Sequence, residues 1–144
     1  MTPVITVTDT PPEGARDAVL APLAAFNTAQ TGDTAPWRPF AILISDAETT
    51  TIAGGLWGGS IYAQFFVELL VVPEALRRHG LGRELMQRAE AEAIARGCAG
   101  IWLDTFSFQA PGFYQKLGYE IFGEIPDYPP GHSRFFLKKP LPRS

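Results

Sequence analysis

Cysteine is almost missing from this chain: Cys98 is the one thiol in 144 residues. No disulfide can close within it, which suits a reducing, cytoplasmic setting. Long apolar runs are missing too. The best, Phe65 to Val72, is broken by Glu68 and falls far short of the roughly 20 residues needed to cross a bilayer, so no membrane partner is expected. The first fourteen residues hold neither a basic nor an apolar segment, so no secretion signal is expected. Positive charge is not in excess either: 12 Lys and Arg stand against 15 Asp and Glu, a net charge of −3. Nucleic acid, which calls for a basic surface, is therefore not an expected partner.

What the chain does have is a globular composition, 46% hydrophobic and 19% charged. A chain of this length buries about two-thirds of its unfolded surface, and one domain over residues 1–144 is expected. Val4 to Thr8 alternates β-branched residues and predicts a first strand, broken by Pro11-Pro12-Glu13-Gly14. Ala15 to Asn27 predicts a helix with Val19, Leu23 and Phe26 on one face, kinked or split by Pro22. Strands follow at Phe40 to Ser45 and Thr51 to Trp57, with a turn expected at Gly58-Gly59. Tyr62 to Val72 carries apolar residues of both parities, which predicts a strand covered on both faces.

Gly82 to Arg96 gives the clearest helical pattern. Leu85, Ala89 and Ala93 line one side, the pairs Glu84/Arg88 and Glu92/Arg96 lie outside, and Gly97 is placed to cap it. Gly100 to Phe106 predicts a strand, Pro111 to Leu117 a short helix, and Tyr119 to Ile125 and Arg134 to Lys138 two closing strands. The expected architecture is a mixed α/β sheet, mostly antiparallel, with one right-handed parallel strand–helix–strand unit and helices on both faces.

Between strand and helix lies "RRHGLG", Arg77 to Gly82. Gly80 and Gly82 leave backbone N–H groups uncovered at a helix N-terminus, where the helix dipole adds positive potential. Arg77, Arg78 and Arg83 surround that point with donors suited to phosphate oxygens. An anion site is one reading; a tight turn with solvated arginines is the other. A nucleotide P-loop needs Lys-Ser/Thr after its last glycine, whereas Arg83-Glu84 follow Gly82. A dinucleotide fingerprint wants a third glycine where Leu85 stands. The pyrophosphate of a different cofactor is left.

The stretch "VELLVVPEALRRHGLGRELM" resembles the acetyl-CoA-binding motif of the GNAT N-acetyltransferases, Arg/Gln-x-x-Gly-x-Gly/Ala, with Arg77, Gly80 and Gly82 at its defined positions. "LDTFSFQAPGFYQKLGYEIFGEIPDYPPGH" resembles the second motif of the same family. The element order matches across nearly the whole chain. The front departs from the family, with one kinked helix where two are common. The resemblance implies acetyl-CoA as co-substrate, no metal, and an amine acceptor, either a small molecule or a lysine. It also implies a possible homodimer. It places coenzyme A pyrophosphate on the backbone of Arg78, His79, Gly80, Leu81, Gly82 and Arg83. The pantetheine arm would dock along Leu70, Val71 and Val72, and Ser107 stands where relatives use a cofactor-contacting asparagine.

Acetyl transfer to an amine needs a proton acceptor, a donor for the oxyanion and stabilisation of the departing thiolate. Tyr114 matches the family tyrosine that faces the sulfur; the alternative is a packed core tyrosine. Glu68, interrupting an apolar strand and expected on the side of Phe66, Leu70 and Val72, is the candidate base. A buried carboxylate there would otherwise need a structural partner. Asp104 is the weaker alternative base. His132, after "DYPPG", is read as a turn residue, the alternative being a place in the acceptor pocket, and Cys98 is read as a packed residue.

Overall fold

The computed structural model describes residues 1–143. The chain divides into two compact units, Met1–Ala35 and a larger one from Pro36 onward.

In the first unit the expected strand at Val4 to Thr8 does not form. Val4, Ile5 and Val7 are exposed. β-branched alternation suits a strand, yet a strand exists only where a neighbour takes its N–H and C=O groups. Helix α1, Ala15–Thr31, is longer than predicted and is not divided by Pro22. It runs on past Asn27 because nothing breaks it before Gly32, whose left-handed backbone (φ 71°) turns its N–H back to Thr28 O at 2.9 Å. None of its residues is buried.

The second unit holds strands β1 (Arg38–Ser45), β2 (Ile52–Ile61), β3 (Gln64–Val71), β4 (Gly100–Phe106), β5 (Glu120–Pro126) and β6 (Ser133–Pro140). Their order in the sheet is β1-β2-β3-β4-β6-β5. Only β3 and β4 run parallel, connected through helix α2 (Leu81–Ala95); the short helix α3 (Pro111–Lys116) links β4 to β5. The predicted mixed sheet with one parallel pair is what the chain forms.

Gly58 and Gly59, expected to turn the chain, lie inside β2. The turn falls instead at Tyr62-Ala63, with φ 53° and 59°, the geometry of a two-residue hairpin. The glycines serve the strand interior. Trp57 pairs with Leu69, but Gly58 pairs with Val67, so Glu68 is an extra, bulged residue in β3. A Cβ on Gly58 would collide with the Phe66 carbonyl oxygen, so this close approach requires glycine.

The bulge also explains the apolar residues of both parities in β3, which do not reflect burial of both faces. Before it the odd residues Phe65 and Val67 enter the core; after it the even residues Leu70 and Val72 pack there. Leu69 and Val71 are left exposed. Glu68 itself is exposed, not buried, and does not share a face with both Phe66 and Leu70.

Helix α2 contributes Leu85, Met86, Ala89 and Ala93 to this core, against Leu56, Phe65, Ile101, Leu103 and Leu137. Its end is closed by a Schellman arrangement: Gly97 N–H reaches Ile94 O and Cys98 N–H reaches Ala93 O, both at 2.9 Å. Arg96, its side chain 7% exposed, donates to the carbonyls of Arg38 and Pro39 at 2.7 and 3.1 Å and to Glu92 at 2.9 Å. It ties the helix end to the edge strand β1.

Candidate active site

The sheet opens in its middle. β3 and β4 pair from Gln64/Gly100 to Val67/Leu103 and then part, at the residue where the Glu68 bulge begins. A bulge bends and twists the strand that carries it, which here directs β3 away from β4. Beyond Val67, the β3 N–H and C=O groups that face β4 have no strand partner. The opening is a cleft of about 810 Å³ with Glu68 to Val72 along one wall and Leu103, Asp104 and Thr105 along the other.

At one end of the cleft stands the N-terminus of α2. Arg78 (φ 70°) and Gly80 (φ 76°) take left-handed backbone conformations and swing the chain into the helix. No side chain caps it. The first bond of the turn is Glu84 N–H to Gly80 O, so the N–H groups of Leu81, Gly82 and Arg83 find no acceptor among the described residues. Three free donors and the positive end of the helix dipole make an anion cradle. Arg77 Nε donates to Val72 O at 3.1 Å and fastens the loop to the end of β3. A Cβ on Gly82 would lie 3.2 Å from the Phe113 ring and 3.8 Å from Val72, so glycine lets the helix start pack against α3 and β3.

Tyr114, on α3, also lines the cleft. Its ring is held edge-on by Phe113 (centroids 5.0 Å apart) and Tyr119 (6.1 Å). Among the described residues its hydroxyl makes no hydrogen bond. Burial, with a smaller contribution from the charge of Asp104, pushes its pKa up to about 12. Tyr114 is thus a fixed, protonated donor with a free hydroxyl.

Asp104 sits on the opposite strand but is committed elsewhere: its Oδ1 accepts from Arg134 Nε at 3.0 Å and Nη2 at 2.8 Å. That hydrogen bonding raises the Arg134 pKa above its usual value. A carboxylate so paired is a poor choice of base beside Glu68, whose carboxylate makes no ion pair among the described residues.

The cleft therefore brings together Glu68, Leu70, Val71, Val72, Arg77, Arg78, Gly80, Leu81, Gly82, Arg83 and Tyr114 from three separate stretches of the chain. His79 and Ser107 do not line it. Ser107 is occupied in joining β4 to β6, its Oγ accepting the Ser133 N–H at 3.0 Å and its N–H donating to Ser133 O at 2.8 Å. Sequence reasoning missed Phe108 and Gln109, which also line the cleft. Gln109 Oε1 receives Thr105 Oγ and the Phe106 N–H at 3.0 and 2.9 Å and shapes the turn after β4. The aromatic repetition in "FSF" was the available signal for Phe108.

A mid-sheet opening with an anion cradle at one end and a protonated donor within it is the architecture of a group-transfer enzyme. The sequence profile of the Acetyltransferase (GNAT) family matches residues 13–119, and the chain belongs to that family. It is 44% identical over 107 residues to the blasticidin-S acetyltransferase of Streptomyces morookaense, covering 72% of this chain and 79% of that protein. Among solved structures, a candidate acetyltransferase from Agrobacterium tumefaciens superposes with a TM-score of 0.88 at 32% identity, covering 96% of this chain and 99% of that one. An acetyltransferase from Bacillus cereus gives a TM-score of 0.81 at 30% identity, covering 94% and 98%.

Proposed function

We propose that this protein moves an acetyl group from acetyl-CoA to a primary amine of a small-molecule acceptor, directly, with both bound at once. The observation that carries this reading is the parting of β3 from β4, which puts an anion cradle, unpaired strand edge and Tyr114 around one cleft. The residues present fit coenzyme A. The free N–H groups of Leu81, Gly82 and Arg83, with Arg78 beside them, suit a pyrophosphate, and the open edge of Leu70 to Val72 suits an amide-bearing arm added like a strand.

When bound, acetyl-CoA supplies an acyl group activated as a thioester. Glu68, exposed beside the cleft, takes the proton that the amine gives up as its C–N bond forms, through one water. An unpaired β3 N–H between Leu70 and Val72 donates to the carbonyl oxygen as charge gathers there. The C–S bond breaks with Tyr114 donating a hydrogen bond to the sulfur, and the thiolate takes its proton from solvent on release. Among the described residues no group of three or more His, Cys, Asp or Glu side chains is placed to hold a metal ion.

The similarity to a blasticidin-S acetyltransferase supports an antibiotic-like amine as acceptor. We further read residues 1–144 as one domain, because the family profile spans both compact units. The free, buried Cys98 thiol suits a reducing cytoplasm. The test is thiol release from acetyl-CoA with blasticidin S and a panel of primary amines. Acceptor-dependent release is expected. Tight coenzyme A binding with no release for any amine would leave an acyl-CoA-binding module instead.

A further inference from the structure

Along β4, Leu103 and Thr105 enter the core, so Asp104 and Phe106 turn to the opposite face of the sheet. There Phe106 and Phe108 stack with rings nearly parallel, 5° apart in plane and 5.3 Å between centroids. Tyr128 meets Phe106 at 5.5 Å, and His132 meets the Phe108 ring edge-on at 5.0 Å. Arg134 lies opposite Phe106 in register. Its guanidinium lies over Phe106 and Tyr128 at 5.6 and 5.2 Å, and it donates to Tyr128 Oη at 3.1 Å and to Asp104. The turn carrying Tyr128 and His132 is closed by Tyr128 N–H to His132 O at 3.1 Å.

This cluster is well organised and yet not buried. Phe108 is 55% exposed and Tyr128 41%. Phe108 is also part of the cleft wall, so the shelf is continuous with the proposed reaction site. The acyl-transfer chemistry uses none of its rings. Its charge is balanced locally, since Asp104 answers Arg134. A flat, preformed aromatic surface of this kind recognises another flat ring better than an aliphatic group of the same size, because offset and edge contacts between π-systems add to the area buried.

We infer that Phe108, backed by Phe106 and flanked by Tyr128 and His132, is a specificity element that selects amine acceptors carrying a planar unsaturated ring. The inference deepens the acetyltransferase reading and rests on it for the identity of the bound molecule as acceptor. A scattered surface aromatic needs no such explanation; a stack in which Phe106 and Tyr128 lie under one guanidinium and Phe108 lines the cleft does.

The experiment compares 2-phenylethylamine with 2-cyclohexylethylamine, two primary amines of like size and charge that differ in ring planarity. With the protein saturated in acetyl-CoA, KM for the planar amine should be lower by about fivefold, the size of aromatic pairing beyond area burial. Phe108→Leu should bring the ratio to about one, and Phe108→Trp should restore it. Coenzyme A affinity by calorimetry checks that each variant is folded. A ratio near one in the unaltered protein, or an unchanged ratio in Phe108→Leu, overturns the inference. If neither amine is acetylated, the same ratio is read from their dissociation constants on the coenzyme A-saturated protein. Planar preference in binding without thiol release would sink the acetyltransferase reading and leave the shelf standing, whereas thiol release without planar preference would do the reverse.

Discussion

Replacing Tyr114 by Phe removes one oxygen and keeps the ring. The contacts with Phe113 and Tyr119 are ring contacts and survive. The hydroxyl has no partner among the described residues, so no buried group is orphaned and the melting temperature should stay within about 2 °C, as for a change of a few tenths of a kcal/mol. The effect on rate is bounded by acid strength. A phenol with a pKa near 12 is a weaker acid than a thiol at about 8.5, so full proton transfer to the sulfur is uphill. What the hydroxyl offers is a hydrogen bond to developing negative charge, worth about 1.5–3 kcal/mol. That converts to a fall in kcat of roughly 10- to 100-fold, with acetyl-CoA affinity little changed because the charge appears only as the bond breaks. The same pKa has a pH consequence. Tyr114 stays protonated well above pH 10, so its ionisation should not impose an alkaline fall in rate between pH 7 and about 9.5. Its neutral form is favoured in the fold, so the associated stability is present below about pH 10 and is lost as pH rises toward 12. The assay is turnover at saturating acetyl-CoA with an accepted amine, alongside thermal melting. A kcat within twofold of the parent, at unchanged melting temperature, would refute the reasoning and leave Tyr114 as a packing residue.

Glu68→Gln should leave the melting temperature unchanged, since the side chain is exposed, and reduce turnover by about 10²-fold. The loss should be greatest below the pKa of the acceptor amine; a uniform loss across pH, or none, would assign proton removal elsewhere. Gly82→Val places its side chain against Phe113 and Val72, and overpacking there should cost roughly 1–3 kcal/mol in urea unfolding and weaken coenzyme A binding in calorimetry. Unchanged affinity in the folded variant would move the pyrophosphate away from this loop. Arg96→Met leaves Glu92 and two β1 carbonyls without their donor and should destabilise by roughly 3–5 kcal/mol while coenzyme A affinity persists, because Arg96 lies at the far end of α2 from the cleft.

The chemistry of the α2 N-terminus was legible in the sequence because it is local. Gly80 and Gly82 permit the turn, the helical period begins at once, and free N–H groups follow from where the helix starts. The stripe of Leu85, Ala89 and Ala93 is legible for the same reason. Tyr114 could be picked out by motif, but its raised pKa depends on burial and on Asp104, ten residues earlier and on another element. The exchange of parity between Phe65/Val67 and Leu70/Val72 was present in the sequence all along. Taken alone it is equally compatible with burial on both faces, and only the register with β2 shows Glu68 as the inserted residue.

Other features had no local signal at all. Val4 to Thr8 has strand composition but forms no strand, because composition does not provide a partner edge. Asp104 is 30 residues from the arginine that neutralises it, and the aromatic shelf unites residues from the β4 exit, the β5–β6 turn and β6. The sequence by itself determined α2, α3 and, in outline, the strands of the sheet, together with the glycine-rich helix start, each set by periodicity or backbone freedom within a few residues. Tertiary structure alone decided where the sheet opens, which carboxylate remains unpaired and which aromatics face the opening. Those properties arise from register and from contacts between segments far apart in the chain.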